Sequence, residues 1–202
     1  SPLANTGPRP AQVPAAPAEP LLAVRDLSIA FRQHRGEGAI TRNISFSIRP
    51  GERVGMVGES GCGKTVTGLS LLRLLPERSI RIQGQILFEG RDLALLSQRQ
   101  MRAIRGSDIS MIFEEPMSAL DPVFTVGEQL SETLRAHFDI GRKEARERAV
   151  AALAEVGIPA HARRYDEYPH QFSGGMRQRV MIAMALICQP KLIIADEPTT
   201  AL

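Results

Sequence analysis

The chain has 202 residues, enough for one domain with its own hydrophobic core, and its 43% hydrophobic and 23% charged residues are typical of a globular protein. Its net charge of +3 is too small to indicate a nucleic-acid-binding surface. No uninterrupted apolar run approaches the ~18 residues that a bilayer-crossing helix needs, so the sequence predicts no membrane span.

Residues 1–20 are rich in proline and alanine and show almost no apolar periodicity. Such a composition predicts a disordered leader or linker. The segment also lacks the basic start and the long apolar core of a signal peptide. The folded part of the chain is therefore expected to begin at residue 21.

Three segments alternate between apolar and polar residues as half-buried β-strands do. They are residues 22–31, residues 44–48 and the stretch of residues 80–88. We expect them to form a small antiparallel sheet.

Residues 58–65 read G-E-S-G-C-G-K-T and fit the pattern G-x-x-x-x-G-K-[ST] of a phosphate-binding loop, or P-loop. Glycines let a backbone curl around an anion and turn its N–H groups inward. Lys64 would reach the outer phosphates, and Thr65 would offer its hydroxyl to Mg²⁺. Residues 54–57 predict a buried strand before the loop, and residues 66–75 predict a packed helix whose N-terminus faces the anion. A glycine-rich turn without function fits the string alone but not this context.

The middle of the chain mixes a strand with helices. Residues 97–105 predict a short helix and residues 109–113 a strand. From about residue 126 to residue 169 the pattern is helical, with Leu130 and Leu134 on one face.

Ser173, Gly174 and Gly175 precede a strongly apolar helix predicted at residues 180–187. A Ser-Gly-Gly at a helix N-terminus supplies free N–H groups, the positive end of the helix dipole and a hydroxyl donor. The sequence therefore predicts a second anion site here. An ordinary helix cap followed by a glycine turn is the alternative.

Residues 192–195 are four apolar residues, which predict a strand buried on both faces of a parallel sheet. Asp196 and Glu197 follow at the carboxyl end of that strand, where such sheets bind ligands. Asp196 can hold Mg²⁺ directly or through water, while Glu197 can orient or deprotonate an attacking water. A solvated acidic turn before Pro198 is the alternative.

Together these strings make the chain resemble the ATP-binding-cassette family, whose signature L-S-G-G-Q is F-S-G-G-M at residues 172–176. Longer stretches, among them Y-P-H-Q-F-S-G-G-M-R-Q-R and I-A-D-E-P-T-T-A-L, are similar to the ATPases of bacterial dipeptide, oligopeptide and glutathione importers. Residues 111–130 are nearest to the glutathione-importer type, and dipeptide and nickel importers share most of this segment. The resemblance runs from residue 22 to residue 202 and implies an α/β P-loop NTPase. Its parts are a mixed sheet core, a small antiparallel β subdomain and a helical subdomain at about residues 115–185.

The resemblance also implies ATP and Mg²⁺ as cofactors and a set of site residues. The nucleotide is expected at Phe31, Gly58, Glu59, Ser60, Gly61, Cys62, Gly63, Lys64, Thr65 and Val66. The metal is expected at Thr65, Asp196 and Glu114, and the catalytic residues are expected to be Glu197 and Glu114. The signature residues Ser173, Gly174, Gly175 and Met176 would contact the γ-phosphate held by an opposite cassette.

The position of the adenine is open between two interpretations. The family places an aromatic ring upstream of the P-loop against the base, and Phe31 is the candidate here. Leu27, Ile29 and Phe31 alternate along one face of a predicted strand, so a core position is the alternative for Phe31, and stacking is favoured.

One residue departs from the importer pattern. Glu114 stands after Met-Ile-Phe where the family has a glutamine. A carboxylate there adds a negative charge beside Asp196, Glu197 and the triphosphate, which should weaken nucleotide binding or slow hydrolysis. A tolerated substitution is the alternative.

The resemblance implies an ATP-hydrolysing subunit that powers import of peptides, whether dipeptides, oligopeptides or glutathione. Its expected partners are a second cassette (as homodimer, heterodimer or tandem fusion), two transmembrane permease subunits and a periplasmic or lipoprotein solute-binding protein, with no nucleic acid. The subunit is expected to be a peripheral protein at the cytoplasmic face of the bacterial inner membrane. A regulatory nucleotide-binding module and a cassette ATPase of DNA repair or translation are the alternatives.

Family members continue past the sequence of this chain into an aspartate loop, further strands and a histidine that contacts the γ-phosphate. None of His34, His137, His161 and His170 stands where that histidine should be. We therefore expect the 202 residues to be a truncated portion of a longer protein, poorly active in hydrolysis by themselves.

Overall fold

The computed structural model describes residues 19–33, 36–76, 78–113 and 120–196. The predicted leader at residues 1–20 falls outside these ranges except for its last two residues. The strands are β1 (Leu22–Gln33), β2 (Gly36–Ile48), β3 (Ile80–Phe88), β4 (Arg91–Asp92), β5 (Ile109–Ile112) and β6 (Leu192–Ala195). The α-helices are α1 (Lys64–Leu71), α2 (Gln98–Ile104), α3 (Val126–His137), α4 (Arg142–Glu155), α5 (His161–Arg164) and α6 (Gly174–Leu186), with short 3-10 turns at Leu93–Leu95 and Pro169–Gln171.

The first four strands form one antiparallel sheet in the order β2-β1-β3-β4. This confirms the three predicted strands, although β2 begins several residues earlier than its alternating pattern indicated. Ile29 pairs with Thr41, but Ala30 pairs with Ala39, so Ile40 is an extra residue on β2. Such an extra residue is a β-bulge, which kinks the strand and redirects its side chains.

β5 and β6 form a separate parallel pair, with Ile109 opposite Leu192 and Ile112 opposite Ala195. The strand prediction for β6 is confirmed, but its predicted burial on both faces is wrong, since the side chain of Ile193 is 39% exposed. Among the described residues the sheet has only these two strands, so part of β6 is left uncovered.

The strand predicted at residues 54–57 is wrong: these residues pair with no other strand in the described ranges. Val54 and Met56 are exposed, and Val57 is 97% exposed. An apolar run becomes a strand only where a neighbour accepts its N–H groups and donates to its carbonyls, and periodicity alone does not supply that neighbour.

The helix predicted at residues 66–75 is observed but displaced, because α1 begins at Lys64 and ends at Leu71. Arg73 has a φ of 50°, a left-handed conformation that stops the helix. Its guanidinium donates to the carbonyl oxygen of Leu96 at 2.6 Å, which holds the chain in that turn.

Two hydrophobic cores are present in the described ranges. The first joins the antiparallel sheet to α1, α2 and β5, with Leu27, Phe88 and Met101 fully buried. The second joins α3, α4 and α6, with Leu130 and Leu134 fully buried as their helical spacing predicted. The second core lies within the range expected for a helical subdomain, and that division stays a prediction.

Side-chain caps mark the start of α2 and of α3. Thr125 accepts a hydrogen bond from the backbone of Glu128, whose carboxylate accepts one from the backbone of Thr125, a capping box at the start of α3. Ser97 and Gln100 form the same arrangement at α2, confirming the predicted short helix.

None of the described helices has the combination of length and apolar character that a membrane span requires.

A close helix contact gives a test of the second core. Gly127 lies in α3 against the ring of Tyr165, and a Cβ there would overlap ring atoms. We expect overpacking in Gly127→Ala to outweigh the ~1 kcal/mol by which a helix favours alanine over glycine, and to lower the free energy of unfolding by about 1–2 kcal/mol net. Urea unfolding measures the difference.

Gly141 supplies the matched control, because a Cβ at that helix cap meets no atom within 4 Å. Gly141→Ala should lower stability by about 0.5–1 kcal/mol, because glycine is the better N-cap residue and no overlap adds to that loss. A Gly127→Ala protein as stable as the parent would show that α3 and Tyr165 are not packed as described.

Candidate functional site

The last glycine of the P-loop, Gly63, has a backbone conformation that residues with a Cβ rarely adopt. Gly63 has φ 96° and ψ 12°, in the left-handed region, and is the N-cap of α1. Gly61 also has a positive φ, of 80°. Both conformations are strained for a residue with a Cβ, which is why the loop needs glycine at these points. The turn leaves the first N–H groups of α1 without helical partners.

Lys64 holds the loop together across its opening. Its Nζ donates to the carbonyl oxygens of Gly58, at 2.7 Å, and Glu59, at 3.0 Å. No acidic side chain lies in the first turn of α1, so the positive end of the helix dipole is not neutralised there. Free N–H groups, an ammonium and a dipole end together make a site for an anion.

Two predicted metal-binding residues lie in direct contact although 131 positions separate them. The Oγ1 of Thr65 donates to Oδ1 of Asp196 at 3.1 Å. A hydroxyl and a carboxylate at this separation fit Mg²⁺, which prefers oxygen ligands and needs few from the protein when water and phosphate supply the rest. No cluster of three acidic, histidine or cysteine side chains suited to a metal occurs in the described ranges.

Packing of α1 on the parallel sheet brings these two residues together. A Cβ on Gly68 would lie 3.3 Å from Cγ2 of Ile194, so glycine lets the helix approach β6 closely. The backbone N–H of Asp196 donates to the carbonyl oxygen of Ile112 at 3.0 Å, which continues the ladder by one residue. The carboxylate is therefore fixed at the carboxyl end of the strand, as the sequence predicted.

A cavity of about 370 Å³ opens next to this contact. Its polar end is lined by Lys64, Thr65 and Asp196. Its apolar wall includes Met56 and Met111. Of the predicted phosphate-binding and metal-binding side chains, Lys64, Thr65 and Asp196 therefore share one concave site.

The signature segment begins α6. Ser173 is its N-cap, and its Oγ accepts a hydrogen bond from the backbone N–H of Met176 at 3.3 Å. Cβ atoms placed on Gly174 and Gly175 would meet no atom within 4 Å, so this first turn faces open space. The structure shows the helix cap, and contact of these residues with a γ-phosphate stays a prediction.

Phe31 differs from the other apolar residues of its strand. Leu27 and Ile29 are fully buried, whereas Phe31 is 46% exposed at the end of β1, opposite Gly38 and Ile80. A ring exposed to this extent is not a core residue, so the core interpretation of Phe31 is wrong, and base stacking by Phe31 stays a prediction. Glu114 and Glu197 lie outside the described residues, so their catalytic roles stay predictions.

Sequence reasoning missed the residues that hold Gly63 in place. The carbonyl oxygen of Gly63 accepts two hydrogen bonds from Thr67, from its N–H and its hydroxyl, both at 2.8 Å. On the other side Ile40 and Thr41 of β2 contact the same glycine. The hydroxyl four residues after Gly63 was a usable signal for Thr67, but nothing in the sequence indicated the contact from β2.

Comparison with known proteins places this geometry in a family. A model of the family described as ABC transporter matches residues 41–200. The chain is 52% identical over 185 residues to the dipeptide transport ATP-binding protein DppD of Bacillus subtilis, covering 91% of this chain and 55% of that protein. It is 49% identical over 183 residues to the oligopeptide transport ATP-binding protein OppD of the same organism, covering 90% and 51%. The chain thus spans about half the length of these relatives.

Solved structures agree with the sequence relatives. The ATP-binding cassette MJ0796, in a dimeric post-hydrolysis state bound to ADP and Pi, has a TM-score of 0.78 and 27% identity, covering 90% of this chain and 75% of that one. The predicted fold class, an α/β P-loop NTPase of the cassette type, is confirmed, as is the predicted resemblance to the ATP-binding proteins of peptide importers. On its family match and its similarity to these relatives, the chain belongs to the ABC transporter family.

Proposed function

We propose that this chain is part of an ATP-binding and ATP-hydrolysing subunit that powers peptide import through a membrane permease. The observation that carries the proposal is the 3.1 Å contact between Thr65 and Asp196, beside the ammonium of Lys64 in one cavity. The names of the relatives DppD and OppD, which refer to dipeptide and oligopeptide transport, support the choice of solute class. Which peptide is carried, glutathione included, is read by other subunits.

The residues of the P-loop would bind the triphosphate by exchanging internal hydrogen bonds for bonds to phosphate. Lys64 now donates to the neutral carbonyl oxygens of Gly58 and Glu59. A phosphate oxygen carries a full charge and forms stronger, charge-assisted hydrogen bonds, so the exchange is favourable. The N–H groups at the start of α1 would add further donors.

Thr65 and Asp196 would hold Mg²⁺ between them, and the ion would neutralise charge on the β- and γ-phosphates. Glu197 follows directly in sequence and would orient the attacking water and accept its proton. Glu114 would lie near the same water, as the family's glutamine does. The role of the protein is therefore to position charge and water around the phosphate.

A second cassette is part of the proposal, because Ser173 and the two glycines after it offer N–H groups at an open helix end. These groups would contact the γ-phosphate bound by the opposite cassette. The dimeric state named for MJ0796 supports this arrangement. Two permease subunits, a solute-binding protein and a peripheral position on the cytoplasmic face of the membrane complete the proposal.

Peptide import is tested with the full-length protein, its permease and its solute-binding protein in proteoliposomes. We expect ATP enclosed in the vesicle lumen, which takes the place of the cytoplasm, to drive uptake of a labelled dipeptide or oligopeptide. Hydrolysis without uptake of any peptide would contradict the solute class while leaving ATP binding intact.

Removal of the P-loop ammonium tests nucleotide binding. In the full-length protein, Lys64→Ala should raise the Kd for Mg-ATP about tenfold to a hundredfold, the loss expected for a hydrogen bond to a charged group. Isothermal calorimetry measures it. The control is Lys191→Ala, which removes a lysine that pairs with Glu89 and Asp108 away from the cavity. Equal affinities of the Lys64→Ala and parent proteins would refute the proposal.

The Glu114→Gln substitution tests whether the carboxylate at this position slows hydrolysis. We expect Glu114→Gln to raise the hydrolysis rate several-fold, or to lower the Mg²⁺ concentration needed, since one negative charge near the triphosphate is removed. Steady-state hydrolysis across a Mg²⁺ titration measures both effects, with Glu115→Gln as the control for charge alone. Identical turnover of Glu114→Gln and the parent at every Mg²⁺ concentration would show that Glu114 is a tolerated substitution.

A further inference from the structure

The bulge in β2 presents two consecutive side chains to the P-loop. In a regular strand, neighbouring residues point to opposite faces of the sheet. At Gly63 a Cβ would lie 2.6 Å from Cγ2 of Thr41 and 3.4 Å from Cγ2 of Ile40, so both methyl groups reach the same glycine. The register shift between Ile29 and Ala30 makes this possible.

Gly63 is consequently held from two sides. From the helix side, Thr67 donates two hydrogen bonds to its carbonyl oxygen. From the strand side, the methyl groups of Ile40 and Thr41 close the space next to its Cα. Since Gly63 directly precedes Lys64, its position sets the direction of the first N–H groups of α1.

The contribution of Thr41 is its methyl group. Its side chain is buried, with 7% of the residue exposed, and its hydroxyl has no hydrogen-bond partner in the described part of the chain. A buried hydroxyl without a partner does not stabilise the contact. The methyl group, in contrast, lies directly against the space that Gly63 leaves open.

We propose that Thr41 is a positioning residue for nucleotide binding, which acts through Gly63 by holding the P-loop in the conformation that receives phosphate. The proposal rests on the proposed binding of ATP at this loop. The same strand also pairs with the end of β1, where Gly38 lies opposite Phe31. One β-hairpin therefore supports the phosphate loop and carries the candidate base-stacking residue.

Two mild substitutions separate the methyl group from the hydroxyl. Thr41→Ser keeps the hydroxyl and removes the methyl group, whereas Thr41→Val keeps the methyl group and removes the hydroxyl. In the full-length protein we expect Thr41→Ser to raise the Kd for Mg-ATP about fourfold, the effect of one buried methyl group. The Kd of Thr41→Val for Mg-ATP should lie within twofold of the parent protein's.

Tripolyphosphate is the probe that locates the effect. Because Gly63 belongs to the phosphate-binding side of the site, Thr41→Ser should raise the Kd for tripolyphosphate by the same factor as the Kd for ATP. A purely structural role would instead lower the Tm of the Thr41→Ser protein and leave its tripolyphosphate affinity unchanged, which overturns the proposal. The proposal is also overturned if Thr41→Val binds these ligands more weakly than the parent protein while Thr41→Ser binds them equally well, since the hydroxyl would then be the functional group.

The Lys64→Ala protein distinguishes failure of this inference from failure of the proposed function. Unchanged affinity in Thr41→Ser, with strongly reduced affinity in Lys64→Ala, refutes only the role of Thr41. Unchanged affinity in Lys64→Ala refutes nucleotide binding at the loop and the role of Thr41 with it.

Discussion

The hydrogen bond between Thr65 and Asp196 depends on the packing of α1 against β6. Thr65 is set by the start of α1, and Asp196 is set by the end of β6, 131 residues later in the chain. The two meet only because α1 packs on β6 with Gly68 at the point of closest approach. A side chain larger than glycine there would push the helix outward and separate the hydroxyl from the carboxylate.

The same constraint explains why the site combines rigid and strained parts. The helix and the strand are regular, and they bring the oxygen ligands together. The loop between residues 58 and 63 is irregular and contains left-handed glycines, because only such a backbone can turn its N–H groups towards one point. Contacts from Thr67 and from β2 hold this strained turn in one conformation.

The phosphate loop and the signature segment are supported by different hydrophobic cores. The first core supports α1 and both sheets, and the second supports α6 and its N-cap Ser173. The second core draws on residues 120–188, whereas the first combines residues before that stretch with Leu192 after it. This arrangement is compatible with the proposal that the signature segment contacts a nucleotide bound by a second cassette.

Residue type and spacing alone were enough to select the glycines, Lys64, Thr65 and Asp196 as the residues of the candidate site, and the fold brings the last three to one cavity. The sequence by itself also determined the three antiparallel strands, the parallel strand β6 and the helices with regular apolar spacing, because local periodicity reports which face is buried. Tertiary structure alone decided the open segment at residues 54–57, the exposure of Ile193 and the contact of Thr41 with Gly63. These depend on which neighbours a segment finds across the fold, and that information is absent from any local pattern of residues.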